Sequence, residues 1–277
     1  RGGAAHHQSA EPHRNAIQFL ENFDDRAQEA GVGTGETRPL RESDIQVVRD
    51  GMRKMGKKAF TDNFIRSQST VVITPGKPPM PVMKEYFISV EMIRQHILTN
   101  VDFRGAGLVF QHLTRSLDQM LIECFDEVNP ERAKASLNLN VETVFTHSFQ
   151  NLLEKGGKAL SSLVLEFRAE NILQNWDQFQ TASELITSHG GTIAIDAIIP
   201  ESLGVIDLPR LGAKLAKVFW RPGTENSLPN YKDAIQSLQQ RGTVLVMARV
   251  DDELAIKTAH ACGITMFQGF LIDDMVR

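Results

Sequence analysis

The sequence predicts an α/β fold, a TIM-like (β/α)8 barrel with an antiparallel first strand, preceded by N-terminal helices. The chain has 277 residues, which suits one such barrel of roughly 250 residues. Eight short apolar, β-branched segments follow residue 64, and helical patterns fill most of the gaps between them. A short Pro/Gly turn (PGKPP, 75–79) joins the first two segments. A connection that short makes an antiparallel hairpin, so the barrel should begin with a reversed strand.

The part of the chain before the barrel is predicted to be a tail, a helix and a linker over residues 1–41, with the barrel domain at 42–277. A helix is expected at 11–30, and a Gly-rich linker follows at 31–38. No strand precedes these glycines, so they do not indicate a phosphate-binding loop. A second helix with an apolar stripe is expected at 42–55.

The repeating part of the sequence sets the expected strands and helices of the barrel. The apolar segments predict strands at 69–74, 81–88, 135–140, 162–167, 192–198, 215–220, 243–247 and 264–267. The helical patterns between them predict helices at 90–99, 107–125, 141–154, 171–189, 228–241 and 251–262.

Composition excludes several classes of function. The formal net charge is -4, so no global basic field indicates binding of polymeric nucleic acid. No apolar run is long enough to predict membrane insertion by this segment. The two cysteines, Cys124 and Cys262, lack metal-type spacing, and we expect buried thiols in a reducing compartment. A cytoplasmic location is therefore expected, within a longer protein or one tethered to a membrane.

Five predicted strands carry a polar residue near the carboxyl end, namely Glu85, Asn138, Glu166, Asp196 and Lys217. Functional sites of parallel barrels form at this end of the strands. Taken singly, each residue could be a solvated rim residue or a hydrogen-bonded part of the barrel interior. As a set, the oxygen-bearing groups and the lysine predict a site for a hard cation.

Eight segments carry a specific resemblance. They are FIRSQSTVVI with Gln68, EYF (85–87), LNLN (137–140), LEFRAE (165–170), IDAIIPES (195–202), AKVF (216–219), MARVD (247–251) and FQGFLIDD (267–274). In this order they resemble the motifs of the EAL family of cyclic di-GMP phosphodiesterases: a glutamine-bearing first strand, E-A-L, V-N-L-S, E-x-x-E, D-D-F-G-T-G, K-I-D, E-G-V-E and Q-G-Y/F. The resemblance covers about residues 45–277 and implies a barrel with an antiparallel first strand.

The resemblance implies roles for the residues that are kept. Glu85, Asn138, Glu166 and Asp196 match the metal ligands of the family, so a vestigial site for Mg²⁺ or Ca²⁺ is implied, although no cofactor is required. Lys217 matches the lysine that orients water. Gln68, Glu85, Lys217, Asp251 and Gln268 are the implied ligand-binding residues, with Asp251 replacing a longer glutamate.

Several residues that the chemistry needs are replaced. Ala197 stands for the second aspartate of D-D, Phe219 for the aspartate of K-I-D, and Ala248 for the family's candidate base. The loop at 197–202 is altered, and Ser89 lies near the place of a phosphate-gripping arginine. Loss of one such catalytic group typically costs about a hundredfold or more in rate. We therefore predict a degenerate phosphodiesterase that is not an enzyme.

Three functions are compatible with this pattern. The first is a protein-interaction or regulatory module in bacterial cyclic di-GMP signalling, with a protein partner. The second is a cyclic di-GMP receptor that does not hydrolyse its ligand; the missing arginine and the bulky Tyr86 and Phe87 argue against it. The third is a residual metal-dependent hydrolase. The resemblance also implies a homodimer, although the altered loop at 197–202 weakens that expectation.

Overall fold

A computed structural model describes residues 37–154 and 160–277 of the chain. The predicted helix at 11–30 and most of the predicted linker lie outside these residues. The described chain forms two compact units, one of residues 37–66 with Phe87–Val128, the other of Ser67–Tyr86 with Asn129–Arg277. The predicted domain boundary at residues 41 and 42 stays a prediction.

Ten strands occur in the described residues. They are β1 (Arg38–Pro39), β2 (Ile65–Val72), β3 (Met80–Ile88), β4 (Val101–Asp102), β5 (Ala135–Asn138), β6 (Leu163–Arg168), β7 (Thr192–Ile198), β8 (Ala213–Phe219), β9 (Val244–Ala248) and β10 (Met266–Gln268). The pair β1 and β4 forms a small parallel sheet within the first unit.

The other eight strands close into a barrel in the order β10-β2-β3-β5-β6-β7-β8-β9. Strand β2 pairs antiparallel with β10, whereas the pairs from β3 round to β10 are parallel. The predicted barrel with a reversed first strand is thus confirmed. Strand β2 begins at Ile65 rather than at the predicted residue 69, because its polar first half lacks the apolar pattern used to find strands.

The barrel is filled by alternate side chains of its strands. Met83, Val164, Ala194, Leu215 and Val246, one from each of five strands, pack together as a buried apolar cluster. Successive side chains of a strand point to opposite faces, so the residues two positions further on also face inward. This apolar layer therefore forms a floor beneath the next layer toward the carboxyl ends.

Closure of the barrel depends on its shortest strand. The three residues of β10 pair with β2 on one side, and two of them pair with β9 on the other. Gly269 follows at once, and a Cβ there would collide with the backbone of Val250. The backbone N–H of Val250 donates to the carbonyl of Gln268 at 3.0 Å. The end of β10 and the segment after β9 are therefore held in close contact.

Twelve α-helices accompany the strands in the described residues. They are α1 (Glu42–Met55), α2 (Lys57–Phe64), α3 (Val90–His96), α4 (Gly107–Glu123), α5 (Phe125–Val128), α6 (His147–Leu153), α7 (Ala169–Gln174), α8 (Trp176–Ser188), α9 (Thr224–Ser227), α10 (Lys232–Gln240), α11 (Glu253–Ala261) and α12 (Phe270–Met275). No helix among the described residues is long and apolar enough to span a membrane.

Three predicted helices are wrong in extent. The helix predicted at 141–154 is a 3₁₀ turn, Val141–Phe145, followed by α6, which starts at an N-cap where Thr146 accepts from the N–H of Phe149. The helix predicted at 171–189 breaks at Asn175. The helix predicted at 228–241 begins with a 3₁₀ turn, Leu228–Tyr231, that contains a proline. Local turn chemistry interrupts a continuous apolar periodicity in these cases.

Candidate functional site

Polar side chains form the layer directly above the apolar floor of the barrel. Glu85, Glu166, Asp196 and Lys217 each lie two residues after a member of the apolar cluster, on β3, β6, β7 and β8. Ala248 occupies the same place on β9. The alternation of the strands thus brings together the charged residues that the sequence singled out, at the carboxyl ends of the strands.

Glu85 is the centre of this layer. The amide Nδ2 of Asn138 donates to Glu85 Oε1. Glu85 Oε2 accepts from Lys217 Nζ at 2.6 Å and from Gln268 Nε2 at 2.5 Å. Side chains from three strands, β5, β8 and β10, therefore hold one buried carboxylate in place, which offsets the free-energy cost of burying its charge.

Lys217 contacts a second carboxylate as well. Its Nζ lies 2.6 Å from Glu166 Oε2, and both side chains are buried. The pKa of Glu166 is raised to about 8, mainly by burial, which the charge of Lys217 opposes and the charges of Glu85 and Asp196 reinforce. Burial alone would lower the pKa of Lys217, but the three surrounding carboxylates outweigh burial and raise it. Lys217 is consequently the internal counter-charge of the cluster.

Asp196 lies beside this group on an irregular part of the sheet. The register of β7 with β8 shifts between Ile195 and Ile198, and Ala197 has a φ of 61°, in the left-handed region. Burial raises the pKa of Asp196, and the charge of Lys217 opposes this. The irregularity thus lies directly at Asp196, and bulges are over-represented beside functional sites.

Within residues 37–154 and 160–277, no set of three or more His, Cys, Asp or Glu side chains could hold a metal ion. In the same residues Glu166 Oε1 is buried without a hydrogen-bond partner, so this carboxyl oxygen is an unused hydrogen-bond acceptor within the cluster. The ammonium group of Lys217, however, already contacts both Glu85 and Glu166. The sequence-predicted ligands are gathered, and a vestigial Mg²⁺ or Ca²⁺ site stays a prediction.

The remaining predicted ligand-binding residues surround the same end of the barrel. Gln68 is buried on β2, and Gln268 is buried on β10. Asp251 is exposed, three residues after the end of β9. Tyr86 follows Glu85 directly, so strand alternation points it to the face opposite that of Glu85.

The residue near the place of the missing arginine has a structural role. Ser89 is fully buried and is the N-cap of α3, where its Oγ accepts from the backbone N–H of Met92 at 3.2 Å. Its own N–H donates to the carbonyl of Phe64 at 2.8 Å. Ser89 therefore starts a helix and does not present a group to a ligand.

Two of the positions where the family's acidic residues are replaced, Phe219 and Ala248, lie side by side. Phe219, the last residue of β8, is the register partner of Ala248, the last residue of β9. Arg249 follows Ala248, and its guanidinium carbon lies 3.9 Å from the centroid of the Phe219 ring. Sequence reasoning missed Arg249, although an arginine at the glycine position of the E-G-V-E motif was a signal that could have identified it.

The barrel has the fold of the EAL domain. LapD from Vibrio cholerae, an S helix-GGDEF-EAL structure bound to c-di-GMP, matches with a TM-score of 0.62 and 15% identity, over 84% of this chain and 58% of that chain. The FimX EAL domain of Xanthomonas citri, in complex with c-di-GMP, gives a TM-score of 0.58 and 10% identity, over 82% and 91% of the two chains.

A third solved structure has the same fold. The YkuI protein of Bacillus subtilis, with an EAL domain, in complex with substrate c-di-GMP and calcium, matches with a TM-score of 0.55 and 18% identity, over 84% of this chain and 57% of that chain. The present chain thus spans less than two thirds of the length of LapD and of YkuI. No protein-family model matches the sequence, and no curated protein sequence shows significant similarity to it.

Proposed function

We propose that this chain is a non-hydrolysing EAL-type module of cyclic di-GMP signalling in a bacterial cytoplasm, which regulates or docks a protein partner. The single observation that carries the proposal is the pairing of Phe219 with Ala248 at the carboxyl end of β8 and β9. By the motif resemblance, these are the positions of an acidic residue and of the candidate base. An aromatic ring and a methyl group can neither bind a metal ion nor accept a proton.

The charge arrangement of the interior supports the same proposal. Hydrolysis by two metal ions requires anionic ligands that are available to those ions. Here Glu85 and Glu166 contact the ammonium group of Lys217 at 2.6 Å each. A carboxylate engaged with a buried lysine is a poorer metal ligand, because the metal ion must displace the lysine or accept a repulsive neighbour. The interior is arranged as a stable ionic network.

A second candidate function is a receptor that binds cyclic di-GMP without cleaving it. The observation that favours it is the intact set Gln268, Asn138 and Glu85, which are joined by hydrogen bonds at the mouth of the barrel. LapD and FimX, which share the fold, are described as bound to c-di-GMP. A preformed polar layer of this kind lowers the entropy cost of binding a ligand.

Two measurements test these proposals. Purified protein is incubated with cyclic di-GMP and Mg²⁺ or Mn²⁺, and the linear dinucleotide is quantified; we expect none above the buffer control. Product formation that disappears in Glu85→Ala but persists in the surface control Glu184→Gln would contradict the non-hydrolysing proposal.

Calorimetry with cyclic di-GMP then distinguishes the protein-interaction module from the receptor. A Kd below about 10 μM, near -7 kcal/mol, supports the receptor, and no binding at ~100 μM ligand excludes it.

A further inference from the structure

Exposed cations gather at the amino end of the barrel, the end away from the polar layer. The parallel strands start at that end, and because β2 runs antiparallel, its turn to β3 lies there too. The N–H of Ile73, just after β2, donates to the carbonyl of Thr265, just before β10, at 3.0 Å. In the described residues the turn and the starts of β5, β8 and β9 carry six exposed cations, which we call the amino-end face: Lys77, Arg132, Lys134, Arg210, Lys214 and Arg241.

Carboxylates balance this face only in part. At the same end, the described residues include Glu131, Glu154 and Asp207, and Asp207 pairs with Arg241 at 2.8 Å. The other five cations of the face form no ion pair with a described residue. The amino-end face therefore has a local positive excess, although the whole chain has a formal net charge of -4.

The segments at the carboxyl end of the barrel carry the opposite charge. Residues 250–254, just after β9, include three carboxylates and no cation, and helix α12 includes two carboxylates and no cation. Charge is thus separated along the direction of the strands. An anionic surface would attract the amino end and repel these acidic segments, which would orient the barrel as it approaches.

Two exposed apolar side chains accompany the cations. Met80 is the first residue of β3 and Val244 the first residue of β9, and they are 57% and 44% exposed. They are single apolar side chains on different strands and do not line a common groove. Cations beside isolated apolar side chains are suited to a lipid headgroup region, where the cations meet phosphates and the apolar groups reach the acyl boundary.

The loop before β5 is ordered so that it presents its arginine. The side chain of Asn129 donates to the carbonyl of Ala133 at 2.8 Å and accepts from the N–H of Ala133 at 3.1 Å. Between them, Arg132 has a φ of 52°, in the left-handed region that a residue with a side chain disfavours. Arg132 is nevertheless exposed, so this part of the face is formed before any partner arrives, which lowers the entropy cost of docking.

We infer that the amino-end face docks the barrel on an anionic phospholipid surface, with Met80 and Val244 in the headgroup region. The cations come from four separate segments around one end of the barrel, and a lipid surface can meet them all at once because its headgroups are mobile. In this orientation the carboxyl end faces the solution. The inference is therefore compatible with either function proposed above and depends on neither.

Flotation of the full chain with vesicles tests the inference. The vesicles are phosphatidylcholine alone, or phosphatidylcholine with about 30% phosphatidylglycerol, at low and at high salt. Lys134→Glu with Lys214→Glu reverses two cations of the face, and Lys77→Glu with Arg210→Glu, both outside strands, is a second variant in case the first does not fold. Lys257→Glu with Arg277→Glu is the matched control, because it changes the net charge equally outside the face.

We expect the wild type to bind the anionic vesicles and not the neutral ones, and to be released by high salt because the charges are then screened. Both amino-end variants should bind at least tenfold more weakly, and Met80→Ser severalfold more weakly, whereas the control should bind as the wild type does. Thermal unfolding, recorded for each variant, establishes that the variants compared are folded.

Four results would overturn the inference. They are the absence of binding to anionic vesicles at low salt, equal binding to neutral vesicles, an equal loss in the control, and an unchanged affinity in the amino-end variants. Two further probes identify a different occupant if vesicles are not bound. Binding of a poly-glutamate peptide would indicate an acidic protein segment, and salt-sensitive self-association in sedimentation velocity would indicate a second copy of the chain; either result contradicts lipid docking.

Discussion

Lys217 and Glu166 are in direct contact inside the barrel, with Nζ 2.6 Å from Oε2 and with only 2% and 1% of the two residues exposed. They lie on β8 and β6, 51 residues apart in the sequence. Glu85 contacts the same ammonium group from β3. The barrel thus encloses a charged cluster whose members depend on one another.

Replacing Lys217 by methionine should destabilise the protein strongly. The substitution keeps the approximate length of the side chain but leaves Glu85, Glu166 and Asp196 without their counter-charge. Breaking a buried ion pair from one side typically costs about 3–5 kcal/mol. Urea unfolding measures the loss, with Lys214→Met, on an exposed position of the same strand, as control. A loss below about 1 kcal/mol would mean that the cluster is solvated.

Stability should fall as the pH rises toward 8 on account of Glu166. Its pKa in the folded state is about 8, whereas an unfolded glutamate titrates near 4.3. The folded state therefore binds an extra proton between these values, and its stabilising effect, complete below about pH 4, is lost through pH 8. The slope is at most about 1.4 kcal/mol per pH unit.

The variant Glu166→Gln isolates this effect. Its free energy of unfolding should depend less on pH between 5 and 8 than that of the wild type, because the titrating group is gone. Glu184→Gln, on the exposed side of α8, should follow the wild-type profile. Parallel pH profiles for wild type and Glu166→Gln would show that Glu166 is ionised throughout this range.

Magnesium should stabilise the wild type no more than sodium does at equal ionic strength. The ammonium group of Lys217 already contacts Glu85 and Glu166 at 2.6 Å each, so a divalent ion would meet a cation beside these carboxylates. In Lys217→Met the same carboxylates become available, and Mg²⁺ should raise the melting temperature of that variant. Thermal unfolding with and without chelator provides the measurement, and a specific rise in the wild type would establish a metal site beside the lysine.

Replacing Ala197 by glycine should stabilise the barrel. Ala197 has a φ of 61°, and a left-handed backbone costs a residue with a side chain about 1–2 kcal/mol. Glycine relieves this strain but adds chain entropy to the unfolded state, so we expect a net gain of about 0.5–1 kcal/mol. Ala182→Gly, inside helix α8, should instead lose stability. A loss in both variants would mean that the left-handed backbone carries little strain.

The sequence predicted the barrel and the identity of its polar layer well, because both follow from short-range alternation. Glu166 and Lys217 stand out as charges within apolar strands, and the parallel topology brings such positions to one end. Their direct contact could not be predicted, since it depends on the stagger of strands that are far apart in the chain.

Other features lay beyond the sequence for different reasons. Helix α2 at Lys57–Phe64 was missed because Gly56 ends the preceding helix and the next apolar pattern is short. The left-handed backbone of Arg249 lies between two residues, Ala248 and Val250, that are held by hydrogen bonds to distant parts of the chain, and no local pattern of residues reveals them. The N-cap role of Ser89 was hidden by its place beside a family motif.

The brevity of β10 has a mechanical consequence for the whole ring. The register pairs that join β2 to β9 through β10 are made by Met266, Phe267 and Gln268, so the barrel wall is narrowest at β10. A transient opening there would expose two unpaired strand edges at once, and such edges invite pairing between molecules. Shortening the chain to end before residue 266 would remove β10 and leave the barrel open between β2 and β9. The exposed strand edges should then cause the protein to aggregate.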